Sequence, residues 1–205
     1  MRRVEIEEKT RILDDFFKVD AVRLRYERFD GQMSPVVRRL NFERGDSVAA
    51  IILNRTSRRL LFVNQFKYPS YEKGPGWITE TVAGMVEKNE SPKSAAFREI
   101  EEEMGYKVRE LEHISTFYVS PGGSSERIIL YYAEVDQTDK AGPGGGARGE
   151  NEDIVTVELS LTEALEQIRT GQIADAKTII GILWLQNRIT QGSAPSGQAA
   201  LKGGI

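Results

Sequence analysis

The sequence predicts an α/β protein: an α/β/α sandwich around a mixed sheet, preceded by an N-terminal antiparallel β segment. Three observations carry this. Two short, continuous apolar runs at 48–53 and 60–63 have the look of strands buried on both faces. A capped helix is predicted over 92–104, after a further strand. Two more helix signals close the chain, so helices are available for both faces of one sheet. At 205 residues, with 40% apolar and 29% charged residues, one sizeable core can be built.

Residues 1–43 read as the β segment. Val22, Leu24 and Tyr26 alternate with Arg23 and Arg25, Asp30-Gly31 is a hairpin turn signal, and a second strand follows over 36–43. With few large apolar residues, this segment is expected to pack on the main domain or on a second subunit. The main domain spans 44–189. After the two buried strands and a loop over 66–76, a strand over 77–82 delivers Ala83 and Gly84 to the helix. Ser91 suits the N-cap, Pro92 the first helical position and Gly105 a left-handed end. One or two strands are expected within 107–119, a sharp turn at 120–123, and a strong strand over 127–135. The Gly-rich stretch 136–153 is expected to be mobile. A strand over 154–159 leads to a helix opened by a Ser160/Glu163 capping box and stopped by Gly171. Asp175 caps a last helix to about Ile189, and residues 190–205 have the composition of a disordered tail.

Composition excludes several function classes. A net charge of −3 argues against general nucleic-acid or anionic-membrane binding. The chain has no Cys, so thiol nucleophiles and zinc-thiolate sites are absent. Its one His, His113, excludes a His-based triad, and acid–base work falls to carboxylates. There is no apolar run of signal-peptide type or of membrane-spanning length. A cytoplasmic location fits this.

The chemistry is concentrated on the 92–104 helix. Glu99, Glu102 and Glu103 are spaced i, i+3, i+4 and share a face. Phe97, Ile100 and Met104 supply an anchoring face, and Glu101 points to solvent. Crowded carboxylates repel one another unless a cation sits among them. All-oxygen ligands suit Mg²⁺ or Mn²⁺, which commonly bind a few carboxylates together with substrate phosphates. A lone acidic cluster is usually only a solvated helix face. Here it is part of a longer pattern: Gly84, five residues, Glu90, seven residues, then Arg98, Glu99, Ile100, Glu102, Glu103, Gly105 and Tyr106.

That pattern resembles the Nudix box, with Tyr106 standing where an aliphatic residue is usual. The resemblance covers roughly 44–185 and implies the Nudix sandwich and hydrolysis of a nucleoside diphosphate joined to another group. It implies metal ligation by Glu99, Glu103, Glu102 and the backbone carbonyl of Ala83, with two to three Mg²⁺ (or Mn²⁺) ions per site. Arg98 is implied to orient the glutamates, alongside a purely structural i, i+4 pairing with Glu102. Glu90 reads as a supporting residue rather than a ligand.

Features outside the box resemble the ADP-ribose pyrophosphatases of this family. Pro121 lies sixteen residues beyond Gly105, within Ser120-Pro121-Gly122-Gly123-Ser124-Ser125-Glu126-Arg127, and Trp77 to Met85 is similar too. This resemblance implies Glu150 as general base on a closing loop, with Glu152 as the alternative base or an extra metal ligand. It implies substrate contacts from Arg44, Lys67, Glu80, Pro121 and Gly122. Lys67 departs from the Arg of many relatives and cannot make the same planar fork to phosphate. Gly144-Gly145-Gly146 and the stretch 165–178 also resemble GDP-mannose pyrophosphatases. Both groups imply a homodimer with crossing N-terminal segments. A third reading is a non-catalytic ADP-ribose sensor, which the intact set of box glutamates disfavours.

Overall fold

The computed structural model describes residues 2–147 and 152–192. Two sheets are present. The N-terminal sheet is three-stranded and antiparallel, with β1 (Val4–Asp14), β2 (Lys18–Tyr26) and β3 (Val37–Glu43) in that order. Its first strand lies within the expected β segment but has no buried face; every residue of β1 is exposed.

The second sheet has seven strands. β4 (Ser47–Asn54), β5 (Arg59–Phe66), β8 (Glu112–Tyr118), β9 (Arg127–Val135) and β10 (Val155–Leu159) run in the order β10-β5-β4-β9-β8. Two short strands lie off this path: β6 (Trp77–Glu80) pairs with β5, and β7 (Val82–Met85) pairs with β4. The sheet is mixed, because β4 and β9 are parallel while their other pairings are antiparallel.

The apolar runs are explained by what covers each face. Val48, Ala50 and Ile52 of β4 face a cluster with Ala95, Ala96, Ile100 and Met104 of α2 (Pro92–Met104). Ile51 faces the other way, with Phe62 of β5, toward Ala164 of α3 (Leu161–Arg169) and Ile182 and Leu185 of α4 (Ala176–Gly192). A strand covered on both sides has no polar face to alternate with. This is the predicted α/β/α sandwich.

Three expectations need correction. The strand over 77–82 is interrupted at Thr81, where the chain crosses from β5 to β4. There the Thr81 amide donates to Thr178 Oγ1 at 2.8 Å and its hydroxyl donates to the Ala50 carbonyl. Within the 66–76 loop a short helix, α1 (Tyr68–Tyr71), opens on Pro69. The last helix runs on to Gly192, so 190–192 are helical; the rest of the expected tail, 193–205, lies outside the described residues.

The N-terminal sheet joins the main one through β3. The Phe42 amide donates to Gly123 O at 2.8 Å, and Ser125 Oγ donates to Glu43 Oε2 at 2.6 Å.

Candidate active site

Helix α2 has the predicted caps. Ser91 Oγ accepts from the Ser94 amide at 3.1 Å, Pro92 begins the helix, and Gly105 ends it at φ 69°. Exchanging such a cap for Ala costs about 1 kcal/mol.

The helix lies against β7, and the register sets Ala83 and Gly84 opposite Ala49 and Val48. Gly84 is part of β7 itself. An ideal Cβ at Gly84 would stand 1.8 Å from Glu99 Oε1, so only hydrogen fits where the Glu99 carboxylate comes against the strand.

Arg98 joins the acidic residues to one another. Its Nε and Nη2 donate to the two oxygens of Glu90, each at 3.1 Å. Nη1 donates to Glu99 at 2.8 Å and to Glu102 at 2.9 Å, and Nη2 reaches the Met85 carbonyl at 3.2 Å. The orienting and the i, i+4 readings of Arg98 are thus one geometry. Glu90, chiefly, holds the guanidinium even more firmly protonated than usual.

Glu103 differs from its neighbours. It is only 3% exposed, and its Oε2 has no hydrogen-bond partner among the described residues. Burial, with Glu99 close by, pushes its carboxyl up to about 8, and Lys67 counters part of the rise. Burial also raises Glu99, against the pull of Arg98. Among the described residues no three Asp, Glu, His or Cys side chains converge to cage an ion as they stand. The donor set nevertheless fits a hard divalent cation: carboxylate oxygens, one of them buried and without a hydrogen-bond partner among the described residues.

Other predicted residues border these. Glu80 is buried between Lys177 Nζ and Lys67 Nζ, the latter at 3.4 Å. Lys177 also pairs with Asp175 at 2.9 Å; burial works to lower it, but Glu80 and Asp175 together hold it above its ordinary value. Glu80 is therefore already occupied by two cations.

Glu152 faces the same region and adds to the negative field on Glu99 and Glu103. Glu150, the expected base, lies outside the described residues.

Arg44, Pro121 and Gly122 form a second group. Arg44 Nε lies 3.4 Å from Glu126, which also accepts from Ser47 Oγ at 3.0 Å. The loop carrying Pro121 and Gly122 ends at that glutamate. Ser47 pairs with Met85 on one side and Ile128 on the other, so both groups sit at one end of β4.

The Gly-rich stretch departs from its expectation. Its residues 141, 142, 145 and 146 are hydrogen-bonded to the end of α2. Ala141 and Gly142 amides donate to Gly105 O, the Gly145 amide to Glu103 O at 2.9 Å, and the Gly146 amide to Glu102 O at 3.1 Å. Lys140 Nζ donates to Met104 O at 2.7 Å. The last carbonyls of a helix lack intrahelical partners, and this run supplies them. Gly144, Gly145 and Gly146 all have φ near +70° to +100°, which glycine adopts readily.

Sequence reasoning passed over Gln65, a buried amide on β5 beside Glu152. The polar pair Asn64-Gln65 inside an otherwise apolar strand was the available signal.

Comparison with known proteins agrees with this geometry. The NUDIX domain matches residues 43–179. ADP-ribose pyrophosphatase of Escherichia coli (strain K12) is 36% identical over 184 residues, covering 89% of this chain and 88% of that protein. GDP-mannose pyrophosphatase of Escherichia coli (strain SMS-3-5 / SECEC) is 33% identical over 181 residues, covering 87% and 93%. A crystal structure of an ADP compounds hydrolase superposes with a TM-score of 0.71 over 93% of this chain and 96% of that one, at 16% identity, which speaks for the fold alone. With relatives this similar along nearly its whole length, and the domain matched through both the box and the sheet that carries it, the chain belongs to the Nudix family of pyrophosphohydrolases.

Proposed function

We propose that this enzyme hydrolyses the pyrophosphate bond of ADP-ribose, giving AMP and ribose 5-phosphate. The observation that carries the choice of substrate is the 36% identity, across 89% of the chain, to an ADP-ribose pyrophosphatase. The loop with Pro121 and Gly122, beside Arg44 at the end of β4 where Gly84 of β7 pairs, supports it.

Glu99, Glu103, Glu102 and the Ala83 carbonyl would hold two to three Mg²⁺ ions, with Mn²⁺ as a substitute. Such ions neutralise phosphate charge and lower the pKa of water. Arg98 keeps Glu99 and Glu102 turned toward each other. Lys67, Arg44, Glu80, Pro121 and Gly122 are assigned to substrate, Lys67 as a point charge on phosphate. Glu150 takes the proton from the attacking water, with Glu152 as the alternative base.

The chain is proposed to act as a homodimer in the cytoplasm. The dimer is supported by the bare apolar surface of the N-terminal sheet and its turn, where Ile6, Phe16 and Phe29 are exposed, Phe29 by 91%. Residues 1–43 would be the dimerisation unit and 44–189 the hydrolase domain. The absence of Cys is in keeping with the cytoplasm. Among the described residues no helix is long and apolar enough to cross a membrane.

A GDP-mannose reading is favoured by the 33% relative and the glycine run on α2. A panel of ADP-ribose, GDP-mannose and other nucleoside diphosphate sugars with Mg²⁺ or Mn²⁺ decides. Roughly tenfold or greater preference in kcat/KM for ADP-ribose is expected. The reverse order would transfer the assignment to GDP-mannose, and binding of ADP-ribose without release of AMP would make the protein a sensor. Glu150→Gln should cut turnover by about 10²-fold or more while metal affinity is kept.

A further inference from the structure

We infer that Gln65 is a positioning residue that holds the Glu152 carboxylate toward the Glu99–Glu103 pair. Gln65 lies on β5, one residue beyond the Asn64–Val155 pairing of β5 with β10, and is 8% exposed. Its Nε2 donates to Glu152 Oε1 over a long 3.4 Å, while Glu152 Oε2 accepts from the Ala147 amide at 3.1 Å. Each carboxylate oxygen thus has one donor, from two different elements, and two such donors set the plane of a side chain with several free torsions.

The orientation of the Gln65 amide follows from its partner. A carboxylate only accepts, so the NH₂ end must face Glu152. That leaves Gln65 Oε1 buried with no hydrogen-bond partner among the described residues. An unpaired buried acceptor costs about 1–3 kcal/mol. A leucine of similar volume would avoid that cost if filling space in the strand were the whole task. The amide is explained by what its other end does. Gly146 leaves the space that the Glu152 carboxylate occupies, since an added Cβ there would stand 2.5 Å from Glu152 Oε2.

This rests on the reading of Glu152 as a site carboxylate, and the test separates the two. Gln65→Leu, Glu152→Ala and the double variant are assayed on the best substrate of the panel, with melting temperatures. Gln65→Leu should lower kcat about 10–100-fold, with KM within about twofold and a melting temperature equal to or above that of the parent. In the Glu152→Ala background the same change should cost nothing further. Wild-type kcat in Gln65→Leu, or a loss that multiplies with that of Glu152→Ala, overturns the inference and leaves the Glu152 reading standing. Full activity of Glu152→Ala removes that reading and the inference together. If Gln65→Leu does not fold, Gln65→Asn decides by the same criteria, since it keeps the polarity and loses the reach.

Discussion

The Glu99 carboxylate occupies the volume that a side chain on Gly84 would need: an ideal Cβ there would be 1.8 Å from Oε1 and 2.0 Å from Cδ of Glu99. Gly84 has no positive φ to demand glycine, so space alone is the reason for it. The obstructing atoms belong to the far end of a flexible side chain. Gly84→Ala should therefore fold, with a melting temperature within about 2–4 °C of the parent. Glu99 would swing aside, and kcat/KM should fall about 10²-fold or more, because small misplacements at a reacting centre are costly. Parallel melts and Mg²⁺-dependent turnover check this.

Arg98 serves Glu90, Glu99, Glu102 and the Met85 carbonyl from a single planar fork. A lysine carries the same charge without that geometry. Arg98→Lys should lower kcat about 10–100-fold, the usual loss for a group that orients ligands. A Mg²⁺ titration should also show weaker activation. Activity within twofold of the parent would reduce Arg98 to a surface ion pair.

Gly144 sits where an added methyl would approach the Glu103 carbonyl oxygen at 2.6 Å and the Met104 carbonyl carbon at 2.8 Å. Both are backbone atoms, and the φ of 72° adds about 1–2 kcal/mol for any other residue. Gly144→Ala should lower the melting temperature by about 4–8 °C and reduce turnover. Gly142→Ala, with nothing among the described residues within 4 Å of the added atom and no positive φ, is the control and should remain near parental in both.

Glu43 fastens the N-terminal sheet to the loop before β9. The Ser125 hydroxyl first, then the Gly45 amide, hold its carboxyl below its ordinary 4.5. A depressed folded-state value means that the folded protein binds the proton less readily than the unfolded chain. This stabilisation is complete above about pH 4.5 and is lost as the pH falls through the lower folded value. Glu43→Gln should cost about 1 kcal/mol at pH 6, a melting shift of about 2–4 °C. The gap between variant and parent should narrow as the pH falls below the unfolded value and close once the folded carboxyl is protonated, as thermal melts on acidification would record.

What the sequence revealed was local chemistry. Ser91, Pro92 and Gly105 delimit α2 because caps act within one turn, and β9 was legible over its full length because Ile128, Ile129, Leu130, Tyr131 and Tyr132 stand together. The hidden parts depend on distant partners. Thr81 breaks a strand through bonds to Thr178 and Ala50, which no local pattern contains. Glu103 was grouped with Glu99 and Glu102 by helical spacing, yet it alone is buried, because the sheet beneath the helix is invisible to periodicity. The glycines at 144–146 suggested slack; the Gly145 and Gly146 amides instead answer carbonyls on α2. The polar run Glu8-Lys9-Thr10-Arg11 breaks the alternation begun by Val4 and Ile6, so β1 lacked the pattern by which to recognise it.

The parallel pairing of β4 with β9 sets Ser47 beside Ile128, and the whole of α2 lies in the chain between them. Non-local pairings close slowly, since the intervening loop must lose entropy before any contact rewards it. A nascent chain that has left the ribosome only as far as α2 has its glutamates made but no central sheet to seat them. Catalytic competence should arrive late in synthesis, after β9 emerges, and truncations ending before it should be inert however intact their box.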